Sequence, residues 1–375
     1  MKKIFIIIPW FDPAFKAGGP IQSVVNLLHH RKDGVCYYVF TGSKDVDESE
    51  LTLPGYNTWI KYDANSSVYY YAGKNPTAEI LRQIDSINPD TIFINGLFSV
   101  SYSILPLLKI KDKKKIILSA RGMLHPGALS QKPLKKWIYL QLLKLLRFQR
   151  KISFHATDQS EKIFIQKVFG KHSRVFVAGN YPKALFPVNR PLKDRNRLVL
   201  ITIALVSPMK NHLLVLESLA DINDSIDYHI VGGIKDKAYW DKCKSLIERL
   251  PEHVKVICHG EQPPALVGDL LSKAHVFIMP SESENFGHAI IEALQGGLPV
   301  ITSANTPWNH LLENRAGINV DIKMKDIKNA LEKFLEMDSK EYELWSQAAV
   351  EYAQRNINLK ELDTAYRNMW DFQRI

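Results

Sequence analysis

Short β-branched runs alternate with amphipathic stretches along the chain, a pattern that predicts parallel α/β layers. In the first half the runs predict strands at Ile4–Ile8, Tyr37–Thr41, Thr91–Asn95, Lys115–Ser119 and Ser153–Thr157. Between them the 3.6-residue period predicts helices at Ile21–His30, Thr77–Ile87 and Leu134–Gln149. The alternation then restarts, with strands expected at Leu198–Ala204, Tyr228–Val231, Val254–Cys258, Val276–Met279 and Pro299–Thr302. Helices are expected at Leu213–Leu219, Lys237–Leu250 and Ala289–Gln295, with more beyond Lys325. Between the halves lie Pro182, Pro187 and Pro191, followed by the polar Lys193–Arg197, which reads as a linker. The expected fold class is therefore α/β with two Rossmann-like domains: residues 1–182, a linker at 183–196 and residues 197–357. A C-terminal helix of about 358–375 is expected to pack back on the first domain. Sheets of this kind bind ligands beyond the C-terminal ends of their strands, so the two are expected to face a central cleft.

Length and composition fit this division, since 375 residues suit two cores of ordinary size. The apolar run after Met1-Lys2-Lys3 ends at Pro9, too short for a secretory h-region, and no later run approaches a membrane span. Cys36, Cys243 and Cys258 are widely separated and form no CxxC pair, which reads as reduced thiols in a cytoplasmic protein. The net charge of +10 is local. No Asp or Glu occurs from Lys113 to Thr157, where Lys113, Lys114, Lys115, Arg121, Lys132, Lys135, Lys136, Lys144, Arg147, Arg150 and Lys151 all fall. The stretch Lys132–Lys151 reads either as an interfacial element near anionic lipid or as a core helix with a solvated basic face. No nucleic-acid partner is inferred from the charge.

The most informative segment runs from Met279 to Ile301. A strand ends near Met279, a polar loop carries Glu284, Asn285, Phe286 and Gly287, and a helix opens near His288. Amides at such a helix start suit sugar hydroxyls or phosphate oxygens. Glu292, one turn in, is hemmed by Ile290, Ile291, Ala293 and Leu294, so its carboxylate needs a partner. That partner is either the vicinal hydroxyls of a ribose or a structural one, a neighbouring Lys or a helix end of the second domain that it caps. Lys210 opens a helix after another strand, where the dipole disfavours a cation unless an anion is shared with the helix end. Gly18 and Gly19 precede the first predicted helix and allow close backbone approach. Arg121 and His125 follow the fourth strand of the first half. Asp45-Val46-Asp47 spells D-x-D, but its polar neighbours Glu48, Ser49 and Glu50 suggest a solvated turn.

Glu284 and Glu292 form an E-x7-E pattern within a segment that resembles family 4 of the retaining glycosyltransferases. The resemblance implies the GT-B fold and transfer of a hexose-type sugar from a nucleotide-diphosphate donor, of UDP or GDP type, to a saccharide. Glu284 would then contact the transferred sugar, Glu292 the ribose, and Asn285, Phe286 and Gly287 sugar hydroxyls and phosphate. Lys210 would bind the diphosphate, Gly18 and Gly19 would approach it, and Arg121 would stabilise the leaving group while His125 touched the acceptor. No cofactor or metal is implied. The acceptor is expected to be a lipid-linked intermediate of bacterial surface polysaccharide such as O-antigen of lipopolysaccharide, with peripheral membrane contact. The chain departs from the family at Leu205, where members usually carry Arg; Arg121 and Arg190 are the candidate replacements. An epimerase or phosphorylase of the same fold, or a non-catalytic nucleotide-sugar-binding subunit, are the alternatives.

Overall fold

The computed structural model describes residues 1–30, 34–111, 114–129, 133–183 and 191–372. Lys113, Lys132 and Arg190, and half of the expected linker at 183–196, lie outside these residues. Contacts divide the chain into one unit of Met1–Tyr181 with Leu359–Ile375 and a second of Pro182–Asn358.

The first unit holds one sheet of β1 (Lys2–Ile7), β2 (Val35–Gly42), β3 (Trp59–Lys61), β4 (Ser66–Tyr71), β5 (Thr91–Asn95), β6 (Ile116–Ser119), β7 (Ser153–Ala156) and β8 (Val175–Val177). Their order is β3-β4-β2-β1-β5-β6-β7-β8. All neighbours are parallel except the β3–β4 edge pair. Strands β1 and β5 are apolar throughout much of their length because both faces are covered, as parallel sheets require. The helices are α1 (Gly19–His30), α2 (Pro76–Ile87), α3 (Leu105–Lys109), α4 (Pro126–Leu129), α5 (Pro133–Leu145), α6 (Phe148–Lys151) and α7 (Gln159–Phe169). The Asn75 side chain accepts from Ala78 N to start α2, and Asn88, at φ 50°, ends it. The single helix expected at Leu134–Gln149 is instead broken: Arg147 adopts φ 52° between α5 and α6.

The second unit contains β9 (Arg197–Ile203), β10 (Ser225–Val231), β11 (Val254–Gly260), β12 (Val276–Met279), β13 (Val300–Ser303) and β14 (Gly317–Val320). All pair in parallel in the order β11-β10-β9-β12-β13-β14. This is the 3-2-1-4-5-6 order of the doubly wound sheet, with its switch point between β9 and β12. Its helices are α8 (His212–Leu219), α9 (Lys237–Ile247), α10 (Pro264–Ser272), α11 (His288–Gln295), α12 (Met324–Glu336) and α13 (Ser339–Asn356). The chain then returns to the first unit as α14 (Leu359–Asp371), which buries Tyr366, Met369 and Trp370 against the residues of β1, β2 and β5. Two Rossmann-like units are thus present, as the alternation predicts.

Candidate functional site

In the second unit, the switch point sets the loop after β9 beside the loop after β12, where the order of an open sheet leaves a crevice. The first loop closes in a single 3₁₀ turn, Pro208–Lys210, and Asn211 takes φ 57° before α8. The second runs from Pro280 to Gly287 into α11. Asn211 Nδ2 donates to Pro280 O at 2.8 Å, Glu282 N to Met209 O at 2.9 Å, and Ser281 Oγ to Met209 O at 3.1 Å. These bonds fix one loop to the other, so the ends of two strands far apart in sequence present their side chains together.

The side chains so presented are Lys210 and Glu284, which form a direct ion pair, each about one-sixth exposed. Glu284 N donates to Asn305 O at 3.3 Å, and Trp308 Nε1 to Phe286 O at 2.6 Å, tying the far side of the loop to the segment after β13. Gly287 caps α11 at φ 71° and offers no side chain to the first-turn amides. A Cβ there would lie 3.0 Å from Ile290 Cδ1, so both conformation and space call for glycine.

Glu292 stands on α11 between the buried Ile291 and Ala293. Burial pushes its carboxyl up to about 7, against the opposing charge of Lys183. Its carboxylate makes no hydrogen bond among the described residues. Sequence reasoning offered a structural cation as one partner, and Lys183 is the cation the structure supplies, held by Pro264 O at 3.4 Å. His212, two residues past Lys210, is fully buried, and neither ring nitrogen has a hydrogen-bond partner among the described residues. Burial and then Lys210 pull it down to about 4, so it stays neutral beside the cation. Its burial was not legible in the chain, since a His opening a helix of leucines also fits the surface.

In the first unit, Arg121 (φ 50°) and Gly122 (φ 71°) make a left-handed turn after β6. The turn carries the guanidinium inward, where Nε donates to Asn95 Oδ1 at 2.5 Å and Nη1 to Asn180 Oδ1 at 2.7 Å. Its Nη2 is buried without a partner among the described residues. Beneath it Glu161 accepts from Gly122 N at 2.5 Å and Thr157 N at 2.6 Å. His155 bridges Ser119 Oγ and Ala178 O, both at 2.8 Å, and burial with the Arg121 charge pulls it down to about 3. His125 is half-buried, edge-on to Phe164, and its Nδ1 accepts from Gly127 N at 3.2 Å.

Gly18, at φ 70°, ends an exposed loop before α1, and a Cβ there would meet nothing within 4 Å. Gly19 opens α1 and accepts from Ser23 Oγ. The D-x-D reading needs correction. Asp45 is 1% exposed rather than solvated, and its Oδ2 accepts from Phe15 N at 3.0 Å and Lys16 N at 3.3 Å. Asp47 pairs with Lys16 Nζ at 2.5 Å. Asp45 anchors the glycine loop, a role the polar neighbourhood concealed. Among the described residues no three His, Cys, Asp or Glu lie where they could hold a metal together. No helix of the described residues is long and apolar enough to cross a membrane.

Residues 188–352 match the family described as "Glycosyl transferases group 1". Among curated proteins, the chain is 27% identical over 175 residues to GDP-Man:Man(3)GlcNAc(2)-PP-Dol alpha-1,2-mannosyltransferase of Dictyostelium discoideum, covering 43% of this chain and 34% of that protein. The chain thus spans about a third of that relative's length. Among solved structures, it resembles sucrose-phosphate synthase of Thermosynechococcus elongatus with a TM-score of 0.71 at 15% identity, covering 99% of this chain and 98% of that one. It also resembles HepE of Anabaena, solved with UDP and glucose, with a TM-score of 0.69 at 15% identity and coverage of 98% and 99%. At such identity these two likenesses establish the fold.

Proposed function

We propose that the chain, whose residues 188–352 match the glycosyl transferases of group 1, moves a hexose-type sugar from a nucleoside-diphosphate donor to a saccharide hydroxyl. The observation that carries this reading is the Lys210–Glu284 pair at the switch point, with the hydrogen-bond-free Glu292 carboxylate on the helix that follows. A diphosphate would draw the Lys210 ammonium from Glu284, and the freed carboxylate would accept hydroxyls of the sugar. Glu292 would take the ribose hydroxyls, whose hydrogen bonds supply the partner its burial lacks. Amides at the start of α11, which Gly287 leaves without a side-chain acceptor, would with Asn285 and Phe286 face phosphate and sugar oxygens.

In the proposed chemistry the bond from the anomeric carbon to the leaving phosphate oxygen breaks as the acceptor oxygen bonds to that carbon on the same face. The acceptor proton passes to the departing diphosphate, so configuration is retained. Charge accumulates on the leaving group, and Lys210 would stabilise it. Arg121, engaged by Asn95 and Asn180, would act by shaping the turn that carries His125 and by its spare Nη2 donor. The named substrate of the Dictyostelium relative is GDP-mannose and HepE was solved with UDP, so both nucleotides are donor candidates. The proposed acceptor is a lipid-linked saccharide of bacterial surface polysaccharide, met by a peripheral, metal-independent enzyme on the cytoplasmic side.

The test is to incubate the protein with UDP-glucose or GDP-mannose, with and without a bacterial lipid extract as acceptor source. Release of nucleoside diphosphate that depends on the extract and collapses in Glu284→Gln is expected. Conversion of the free donor to another sugar nucleotide without any extract would instead establish an epimerase.

A further inference from the structure

Helix α5 is apolar on two opposite sides. At about 100° per residue, Tyr139, Leu140 and Leu143 share one side, and all three are buried in the core of the first unit. Leu134, Trp137, Ile138, Leu142 and Leu145 share the other. They are 69%, 59%, 54%, 39% and 80% exposed. A helix whose only task were to cover the sheet would carry mostly polar residues on that outer side, whereas here Gln141 stands among five apolar ones.

The flanks of the outer stripe are as ordered as the stripe. Lys135 and Lys144 fall to either side of it, roughly a quarter turn away in opposite directions. Arg147 and Arg150 follow exposed at the C-terminal end, and no acidic residue occurs from Lys113 to Thr157 to balance them. Trp137 sits at the edge of the stripe beside Lys144, where an indole combines apolar area with one N–H donor.

We propose that the outer face of α5 seats in the headgroup region of an anionic lipid bilayer, lying in the plane of the interface with Lys135 and Lys144 against lipid phosphates. Apolar side chains enter the acyl boundary while the lysine stems reach outward. Each basic residue near such a surface adds to the attraction. A second copy of the chain suits this face poorly: an isologous contact would bring two acid-free, basic flanks together. Helix α5 belongs to the first unit and Lys210, Glu284 and Glu292 to the second, so docking of this face does not rest on the transferase reading.

The experiment is co-sedimentation of the full chain with vesicles of phosphatidylcholine alone and of phosphatidylcholine with phosphatidylglycerol. The expected result is binding to the anionic vesicles only, weakened by salt. The triple variant Trp137→Ser, Ile138→Ser, Leu145→Ser should bind at least tenfold more weakly, and Lys135→Glu with Lys144→Glu should do so on anionic vesicles. Leu145→Ser alone, at the most exposed position, gives a graded loss in a variant whose fold is least disturbed. Titration with UDP or GDP, unchanged in all these variants, separates loss of docking from loss of the donor site. Equal binding of parent and triple variant, no vesicle binding by the parent, or a dimer that the triple variant dissolves would each overturn the proposal.

Discussion

Lys210 and Glu284 each hold the other's charge in a partly buried place, so removing one leaves the other uncompensated. Lys210→Ala is expected to lower stability by about 1–2 kcal/mol, read from the denaturant midpoint, and to abolish diphosphate binding. Glu284→Gln should act in the opposite sense on binding: with its internal competitor gone, Lys210 should hold free UDP or GDP more tightly while sugar transfer is lost. Glu292 gives a pH signature. Its folded value of about 7 lies above the ordinary 4.5, so the folded state holds the proton longer than the unfolded chain. Stability from this group therefore falls as pH rises from the ordinary value through about 7 and levels off above. Glu292→Gln should remove that slope and gain roughly 1–3 kcal/mol at pH 8 relative to the parent. Donor binding has the reverse trend, because ribose hydroxyls donate to the ionised form, and affinity should rise from pH 6 to 8 in the parent only. The E-x7-E spacing made both acids legible in the chain. Their opposite surroundings, one paired and one without a hydrogen bond, were not, since they depend on which loops the sheet order brings together.

Among the elements, the glycine loop before α1 depends on a distant anchor. Asp45→Ala removes a buried carboxylate that accepts from Phe15 N, Lys16 N and Val46 N, and should cost about 2 kcal/mol. Asp47→Ala, at an exposed pair, should leave the thermal midpoint unchanged. Equal effects of the two would contradict the anchoring role. The strands that were legible, such as β1, β5 and β12, are short apolar runs closed by a turn residue. Those missed had weaker signals. Strand β4 reads Ser-Ser-Val-Tyr-Tyr-Tyr, β14 contains Gly317 and Asn319, and β3 is a three-residue edge strand. The break between α5 and α6 was hidden because Leu142, Leu145 and Leu146 continue a helical apolar pattern up to Arg147.

At the scale of the whole molecule, the chain completes its first unit with its last helix. Trp370 and Met369 of α14 are essentially fully buried, with Trp370 edge-on to Phe93 of β5 at 5.5 Å. Ending the chain at Asn358 should therefore expose the apolar side of the first sheet and unfold that unit at a lower temperature, while the second unit keeps its nucleotide affinity. A calorimetric scan would show the early transition. Strand alternation and the restart after the proline-rich segment made the two α/β layers readable from sequence. Sheet order was not readable, because it is set by contacts between strands far apart in the chain, such as β9 with β12, where Leu200 pairs with Val276.

The most direct test of the central claim is a binding titration of UDP, GDP and ADP against the parent, Glu292→Ala and Lys210→Ala. Tight binding of one nucleotide, weakened at least tenfold by each substitution, is the predicted result. Absence of binding, or variants that bind like the parent, would contradict the placement of the donor site between β9 and β12.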